Sequence, residues 1–267
     1  MCSVSFIPRD DGFVLAMNRD ELLSRESALP PEVFLRGRLG VLCPREWSGG
    51  TWIGINSAGM AFSLINWHSQ PDRVCDALVS RGEVVRALLS ARSAKSAASI
   101  LKELPLKRMN PFRVIVVSLD ERSLAEWRSG RDALEFSFLS WMRHHWFSSG
   151  LDEATANTIR RGVCSQVADD SLDLPSLRKL HRSHAPKVGP FSLCMHREDA
   201  GTVSYTELSV SGRMASMYYI AGPPCSGAER FNGALSFDAE SPQGSPEGQR
   251  LDSVKELPPI CPGVGVV

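Results

Sequence analysis

Two short apolar runs joined by a tight turn open the chain and constrain its fold more than any other feature. Residues 3–7 and 13–17 have the pattern of strands, and Asp10-Asp11-Gly12 lies between them. An Asp-Gly turn between two such runs predicts an antiparallel hairpin. The hairpin would bring Cys2 opposite the polar stretch from Asn18 to Glu21, so that its two open ends meet.

Cys2 follows the initiator methionine, and removal of Met1 would make it the amino-terminal residue. Its thiol and α-amine have reference pKa values of roughly 8.5 and roughly 7.7 to 8.0. The amine could therefore take the thiol proton near neutral pH, directly or through one water, which combines nucleophile and base on one residue. The competing interpretation is that Cys2 is a small buried hydrophobe, the first inward residue of an edge strand.

The overall composition is that of a globular protein with balanced charge. Thirty basic and thirty acidic residues cancel among 267 residues, which argues against a general role on nucleic acids or membrane surfaces. The apolar runs are too short for a membrane span. Arg9, Asp10 and Asp11 stand where a signal peptide needs its apolar segment, so we expect a cytoplasmic location.

The cysteines and histidines show no metal or disulfide pattern along the chain. The seven cysteines are odd in number, widely spaced and without a CxxC pair. Among the six histidines only His144 and His145 are adjacent, and adjacent side chains point in different directions. We therefore predict no metal site, no disulfide framework and no resident cofactor.

A second hairpin is predicted from the glycine-rich stretch Ser48 to Asn56, the turn Ser57-Ala58-Gly59 and the run Met60 to Asn66. Glycines inside a strand-like run indicate close approach of another backbone or a ligand. By contrast, Leu22 to Leu42 contains Pro30-Pro31 and few periodic apolar positions, which predicts a loop at the rim of a site.

The remaining predicted helices and strands alternate in groups along the chain. Helical period appears at 77–89, 94–104, 154–167 and 176–183, and strand patterns at 113–119, 123–128, 133–138, 202–208 and 215–220. Helices grouped between antiparallel hairpins favour an α+β fold of layered sheets over an alternating parallel fold. We predict a single domain over 1–236 and a Pro/Gly-rich disordered tail over 237–267.

Several of these motifs together resemble the NRDE family, which includes the transport and Golgi organisation protein 2 homologues. The resemblance extends from residue 1 to about residue 225 and is most specific in the first 67 residues. The matching residues are Met1-Cys2, Asn18-Arg19-Asp20-Glu21, Gly49-Gly50-Thr51-Trp52-Ile53-Gly54, Asn66, Cys194-Met195-His196-Arg197 and Thr202-Val203-Ser204.

The resemblance implies a fold and a set of roles. The family is similar to N-terminal nucleophile hydrolases, with a four-layer αββα fold of two stacked, mainly antiparallel sheets, and to the branch with penicillin V acylase and bile salt hydrolases. It implies Cys2 as nucleophile, Asp20 as partner of its amine, Arg19 beside the thiolate or substrate, and Asn66 as an oxyanion donor. The candidate substrate contacts are Asn18, Trp52 and Trp67, although Asn18 and Glu21 could instead seal the strand end.

Two departures from the pattern bear on these roles. In hydrolases of that branch, an arginine lies one residue further before the aspartate than Arg19 lies before Asp20 in this sequence. Where many family members have an asparagine after a serine, this chain has Ser148-Ser149-Gly150.

Two functions remain open at this stage, beside a third interpretation in which the chain is a structural or interaction protein of this fold. One is a cysteine amidohydrolase or acyltransferase acting on a small amide or acyl substrate. The other is a binding and trafficking factor for haem or a lipid-like acyl ligand without turnover, as the association of eukaryotic relatives with lipid metabolism and haem trafficking implies. Its candidate ligand contacts are His144, His145, His184 and His196. The sequence leaves the oligomeric state open.

Overall fold

Strands are the main regular structure in this computed structural model, which describes residues 2–70, 79–130, 133–167, 173–237 and 255–256. In chain order they are β1 (Cys2–Arg9), β2 (Gly12–Leu22), β3 (Leu29–Arg36), β4 (Leu39–Arg45), β5 (Ile53–Asn56), β6 (Met60–Asn66), β7 (Phe112–Ser118), β8 (Ser123–Ser129), β9 (Leu134–Leu139), β10 (His144–Ser148), β11 (Ala200–Ser211), β12 (Met214–Ile220), β13 (Arg230–Ser236) and β14 (Lys255–Glu256).

These strands form two sheets. The six-stranded sheet has the order β10-β1-β2-β11-β12-β13, and every neighbouring pair is antiparallel. The eight-stranded sheet has the order β14-β3-β4-β5-β6-β7-β8-β9, in which only β14 and β3 are parallel. Phe6, Phe13 and Leu15 of the first sheet and Ile55 and Ile115 of the second belong to one buried core between the sheets.

The helices lie on the outer faces of the sheets. They are α1 (Gly82–Leu88), α2 (Ala94–Glu103), α3 (Glu153–Cys164) and α4 (Leu174–His181). The first two pack on the eight-stranded sheet, where Val85 and Leu88 share a core with Phe62. On the other side, Leu177 of α4 packs with Val14. The predicted αββα arrangement with two stacked antiparallel sheets is therefore confirmed.

Side-chain caps explain where three of the helices begin. Ser93, Asp152 and Asp173 each accept a hydrogen bond from a backbone N–H in the first turn of α2, α3 and α4. Such caps stabilise a helix start by about 1 kcal/mol. The helices predicted at 94–104, 154–167 and 176–183 are confirmed with small shifts at their ends. In the segment predicted at 77–89 the helix begins at Gly82, and 77–78 lie outside the described residues.

The first hairpin has the predicted register. Arg9 pairs with Gly12 across the turn, and Cys2 pairs with Arg19 at the open end. The second hairpin is also confirmed, although its first strand begins at Ile53, and Gly59 in its turn has a φ of 70° that suits glycine.

The loop predicted from Leu22 to Leu42 is wrong, because β3 and the first half of β4 lie in this segment. Pro30 and Pro31 stand near the start of β3, where the register with β4 shifts between Leu29 and Glu32. Prolines are tolerated where the regular ladder is already interrupted, since their missing N–H then removes no ladder bond.

Two further strands, β10 and β13, have no counterpart among the predicted elements. β10 is five residues long and pairs with the other edge of β1, where Ser148 lies opposite Cys2. β13 pairs with β12 at the edge of the same sheet. Both are edge strands whose pairing depends on partners elsewhere in the chain.

The predicted boundary at residue 236 stays a prediction. Phe237 is buried, and Lys255–Glu256 pairs with β3, but the rest of 237–267 lies outside the described residues. Among the helices that the structure describes, none is both long enough and apolar enough to cross a bilayer.

Gly54 illustrates the close packing that the glycine-rich stretch predicted. A Cβ at this position would lie 2.9 Å from Cys43 Cβ and 3.1 Å from Leu89 Cδ2. At Gly162, an exposed position of α3, a Cβ would meet nothing within 4 Å. The same substitution should therefore have opposite effects at the two sites.

We expect Gly54→Ala to lower the free energy of unfolding by roughly 1–3 kcal/mol through overpacking. Gly162→Ala should raise it by up to about 1 kcal/mol, because alanine is the better helix former. Urea denaturation of both variants measures the contrast. A destabilisation at Gly162 equal to that at Gly54 would contradict the packing described here.

Candidate active site at the open end of the first hairpin

A small cavity lies where the open end of the β1–β2 hairpin meets the eight-stranded sheet. Its volume is about 130 Å³. Side chains of both sheets line it, among them Cys2, Arg19, Asp20, Glu46, Trp52 and Asn66. Five of the seven predicted site residues therefore converge on one place, and Asn18 and Trp67 do not belong to its walls.

Cys2 is the first residue of β1 and is 7% exposed. Burial raises the pKa of its thiol, and the charge of Asp20 raises it further. The positive charge of the amino terminus acts most strongly in the opposite direction, followed by the Asp20 backbone N–H, which hydrogen-bonds the sulfur, and by the nearby Arg19 guanidinium. The net shift is upward, so the thiol is protonated near neutral pH and needs a base before it can act as a nucleophile.

The carboxylate of Asp20 is fully buried and held from two sides. Its Oδ1 accepts a hydrogen bond of 2.7 Å from Thr202 Oγ1, and its Oδ2 accepts one of 3.3 Å from the Arg160 guanidinium. A buried carboxylate keeps its charge only when such partners replace water. These contacts fix the direction of Asp20 at the cavity wall.

Arg160 is a supporting residue that the motifs did not reveal. It lies in α3, its side chain is fully buried, and it donates to the Cys2 carbonyl oxygen at 3.2 Å and to Ser3 Oγ at 3.0 Å as well as to Asp20. One signal could have found it. Arg160 stands four residues from both Ala156 and Cys164, the other buried positions of α3, so the helical period places it on the inner face.

Arg19 is held against the opposite wall of the cavity. Its guanidinium lies 4.3 Å from the centre of the Trp52 ring and donates to Glu46 at 2.8 Å and Glu21 at 3.3 Å. Arg25 contacts the same two glutamates. The two arginines and two glutamates form one balanced network, in which stacking on an aromatic ring and paired hydrogen bonds fix the plane of the Arg19 guanidinium.

Asn66 ends β6 and is half-buried beside the cavity. Its side-chain amide makes no hydrogen bond to any described residue, so it is available to a group in the cavity. The buried Trp52 Nε1 also has no partner among the described residues. Trp67 follows Asn66 but is not one of the cavity residues, and its backbone N–H donates to the Pro111 carbonyl.

Asn18 lies on the far face of β2, away from the cavity. Its amide donates to the backbone carbonyls of His181 at 2.9 Å and Leu193 at 2.8 Å. Its Oδ1 lies 3.1 Å from His181 Nδ1. The assignment of Asn18 as a substrate contact is corrected accordingly, because these structural hydrogen bonds occupy its whole amide.

Ser148 of β10 lies directly opposite Cys2. Its buried Oγ has no hydrogen-bond partner among the described residues. Ser148 therefore adds an unassigned polar group next to the Cys2 backbone.

The four histidines considered as ligand contacts fall into two places. His144 and His145 lie on β10, where His145 contacts Ser5 Oγ at 2.8 Å. His184 and His196 lie together, 3.1 Å apart, in the region between α4 and β11. No observation on the described residues favours haem or acyl-ligand carriage, which stays a prediction. Cys194 and Cys225 complete a group around His184 and His196 that could hold a metal ion.

We expect Arg160→Met to lower the free energy of unfolding by about 3–5 kcal/mol, because it leaves the buried Asp20 carboxylate without its cation. Arg38→Met, at an exposed position, is the matched control and should change it by less than about 0.5 kcal/mol. Urea denaturation measures the free energy of unfolding of both variants. Equal effects of the two substitutions would rule out the buried ion pair as a stabilising contact.

A second prediction concerns how the free energy of unfolding depends on pH. Burial, with a smaller effect of His145, lowers the pKa of His181 to about 3. An unfolded histidine has a pKa of about 6.5, so between these values the folded state binds fewer protons. The contribution of the neutral His181 imidazole to the free energy of unfolding is therefore complete above about pH 6.5, and it is lost progressively as the pH falls towards about 3.

The free energy of unfolding should consequently decrease between about pH 7.5 and about pH 5, and His181→Asn should make this decrease less steep. His144→Asn serves as the control, since His144 is not part of the buried cluster. Urea titrations at several pH values measure the slope. An unchanged slope in His181→Asn would contradict the assignment of a buried neutral imidazole.

Two solved structures are similar to this chain. The C2A mutant of conjugated bile acid hydrolase from Clostridium perfringens matches with a TM-score of 0.55 and 10% identity, covering 98% of this chain and 100% of that chain. Penicillin V acylase from Agrobacterium tumefaciens has a TM-score of 0.48 and 12% identity, with 83% of each chain covered. The first match confirms the N-terminal nucleophile hydrolase fold.

The family comparison gives a more specific result. A search among curated proteins finds no match. The family described as Transport and Golgi organisation 2 matches residues 1–163, which include the first hairpin, the glycine-rich stretch and Asn66. Because this match spans more than half of the chain, the protein belongs to the Transport and Golgi organisation 2 family.

Proposed function

We propose that the protein is an N-terminal cysteine hydrolase or acyltransferase that acts on a small amide or acyl substrate through a thioester at Cys2. The observation that carries the proposal is the convergence of Cys2, Arg19, Asp20 and Asn66 on one cavity. The shared fold with a conjugated bile acid hydrolase supports it, because that fold accommodates hydrolysis in another protein.

The first step is activation of the thiol. After removal of Met1, the α-amine of Cys2 takes the proton of the Cys2 thiol, which the raised pKa otherwise keeps in place. The buried Asp20 carboxylate stabilises the resulting ammonium group. Asp20 can do so because Arg160 and Thr202 hold it in one orientation.

The second step is acyl transfer to sulfur. The thiolate attacks the carbonyl carbon, a C–S bond forms, and the carbonyl oxygen becomes an oxyanion to which the Asn66 amide donates a hydrogen bond. The C–N bond then breaks, and the departing amine takes the proton held by the Cys2 ammonium group. A preorganised donor at such an oxyanion is worth about 3 kcal/mol.

The last step releases the acyl group. Water, deprotonated by the Cys2 α-amine, adds to the thioester carbon, and the C–S bond breaks to give a carboxylic acid and the free thiol. If an amine or alcohol replaces water, the same step produces an acyl transfer.

The shape and charge of the cavity limit the substrate class. Its volume of about 130 Å³ is small compared with drug-sized pockets of roughly 300–1,000 Å³. Arg19 and Arg25 face Glu21 and Glu46, so the entrance is polar and its formal charges cancel. This combination favours a small, polar acyl or amide end over a long apolar chain within the described walls.

We expect intact-mass analysis of the purified protein to show loss of Met1. A small electrophilic acyl probe, such as a β-lactam without an aromatic side chain, should then add once, on Cys2, and Cys2→Ala should abolish the adduct. Cys164→Ala is the matched control, because burial raises the pKa of the Cys164 thiol to about 12, and labelling should be unchanged. Asn66→Ala should slow acylation by roughly 10²–10³-fold.

Retention of Met1 would remove the proposed base and overturn the mechanism. Labelling that persists in Cys2→Ala would show that another thiol reacts. Circular dichroism of each variant distinguishes loss of the nucleophile from loss of the fold.

A further inference from the structure

Four side chains of the kinds that bind transition metals meet outside the candidate active site. His184, Cys194 and His196 come from the segment between α4 and β11, and Cys225 comes from the segment between β12 and β13. Their ligand atoms all lie within 4.8 Å of one another. None of the four lines the cavity at Cys2.

Three of the six separations among these atoms, those from His196 Nε2, match the edges of a metal tetrahedron. His196 Nε2 lies 3.1 Å from His184 Nε2, 3.6 Å from Cys194 Sγ and 3.4 Å from Cys225 Sγ. Zinc bonds of roughly 2.0–2.1 Å to nitrogen and roughly 2.3 Å to sulfur place two nitrogens roughly 3.3 Å apart, and a nitrogen and a sulfur roughly 3.6 Å apart. The observed separations agree with these values to within roughly 0.2 Å.

Hydrogen bonding alone does not account for this arrangement. A neutral imidazole Nε2 either donates one proton or accepts at one lone pair, so it can form one good hydrogen bond. His196 Nε2 nevertheless has three partners at close range. A cation at the centre would accept a lone pair from each of the four atoms and so satisfy all of them together.

Backbone hydrogen bonds hold Cys194 in place. The Cys225 backbone N–H hydrogen-bonds the Cys194 sulfur. The backbone N–H of Cys194 donates to the Ser183 carbonyl at 3.0 Å, which fixes this part of the segment. Cys194 is buried and the other three are half-buried, so an ion could enter from the solvent side.

We propose that His184, Cys194, His196 and Cys225 bind one structural zinc ion. Two thiolates and two imidazoles in a tetrahedral arrangement favour zinc over the oxygen-preferring cations. All four positions are supplied by protein side chains, which is typical of structural rather than catalytic zinc.

The ion would tie the two segments together next to the support of Asp20. Met195, between two of the ligands, donates its backbone N–H to Thr202 Oγ1 at 2.8 Å, and Thr202 Oγ1 donates to Asp20 at 2.7 Å. The zinc site is argued from its own ligands and does not depend on the proposed hydrolase function.

The test is the metal content of the purified full-length protein, measured by inductively coupled plasma mass spectrometry. We expect about one zinc per chain, and at least a fivefold lower content in Cys225→Ser and His184→Ala. Cys43→Ala is the matched control, since this buried thiol lies in the core beneath α1 and α2, and the zinc content of this variant should equal that of the unmodified protein. Cys2→Ala should also retain the ion, which separates this site from the nucleophile.

A second measurement, on the unmodified protein, tests the proposal even if the variants fail to fold. The unmodified protein, stripped of metal by a chelator, should take up one equivalent of Co²⁺ with thiolate-to-cobalt charge-transfer absorption. Absence of zinc and of this absorption would overturn the proposal. Zinc content unaffected by Cys225→Ser, or a Cys194–Cys225 disulfide in the freshly purified protein, would overturn it as well.

Discussion

The buried guanidinium of Arg160 is the contact on which the geometry of the candidate site depends. It links α3 to the Cys2 carbonyl, the Ser3 hydroxyl and the Asp20 carboxylate. Burying the Arg160 guanidinium or the Asp20 carboxylate without the other would cost free energy, because both groups are removed from water. The outer helix layer therefore determines where Asp20 points, although Arg160 itself is not one of the residues that line the cavity.

The cavity arises where the core between the two sheets ends. Along the first hairpin, apolar side chains such as Phe6 and Leu15 fill this space, and towards its open end they give way to Cys2 and Arg19. The segment before β5 supplies Trp52, and the end of β6 supplies Asn66, on the facing side. A nucleophile, a cation and an amide donor thus come from different strands, and the packed core behind them keeps their separations constant.

Support for Asp20 comes from three parts of the chain. β2 carries it, α3 provides Arg160, and β11 provides Thr202. Thr202 is connected through Met195 to the cluster of two cysteines and two histidines. A structural ion in that cluster would stabilise a long connection that has little regular structure of its own. It would do so without entering the chemistry proposed at Cys2.

Local patterns in the sequence were sufficient for the hairpin register, three of the helix starts and the layered fold class, because turn chemistry, caps and side-chain period act over a few residues. The hairpin pattern brought Cys2 close to Arg19 and Asp20, and the family resemblance then identified five of the residues that line the cavity. Tertiary structure alone decided the rest. β10 joins β1 from the middle of the chain, Asn18 turns to the opposite face of its strand, and Arg160 reaches Asp20 across 140 positions. The four metal-binding side chains are dispersed between positions 184 and 225 and have no compact motif. Such contacts form only when distant segments pack together, since no local propensity encodes them.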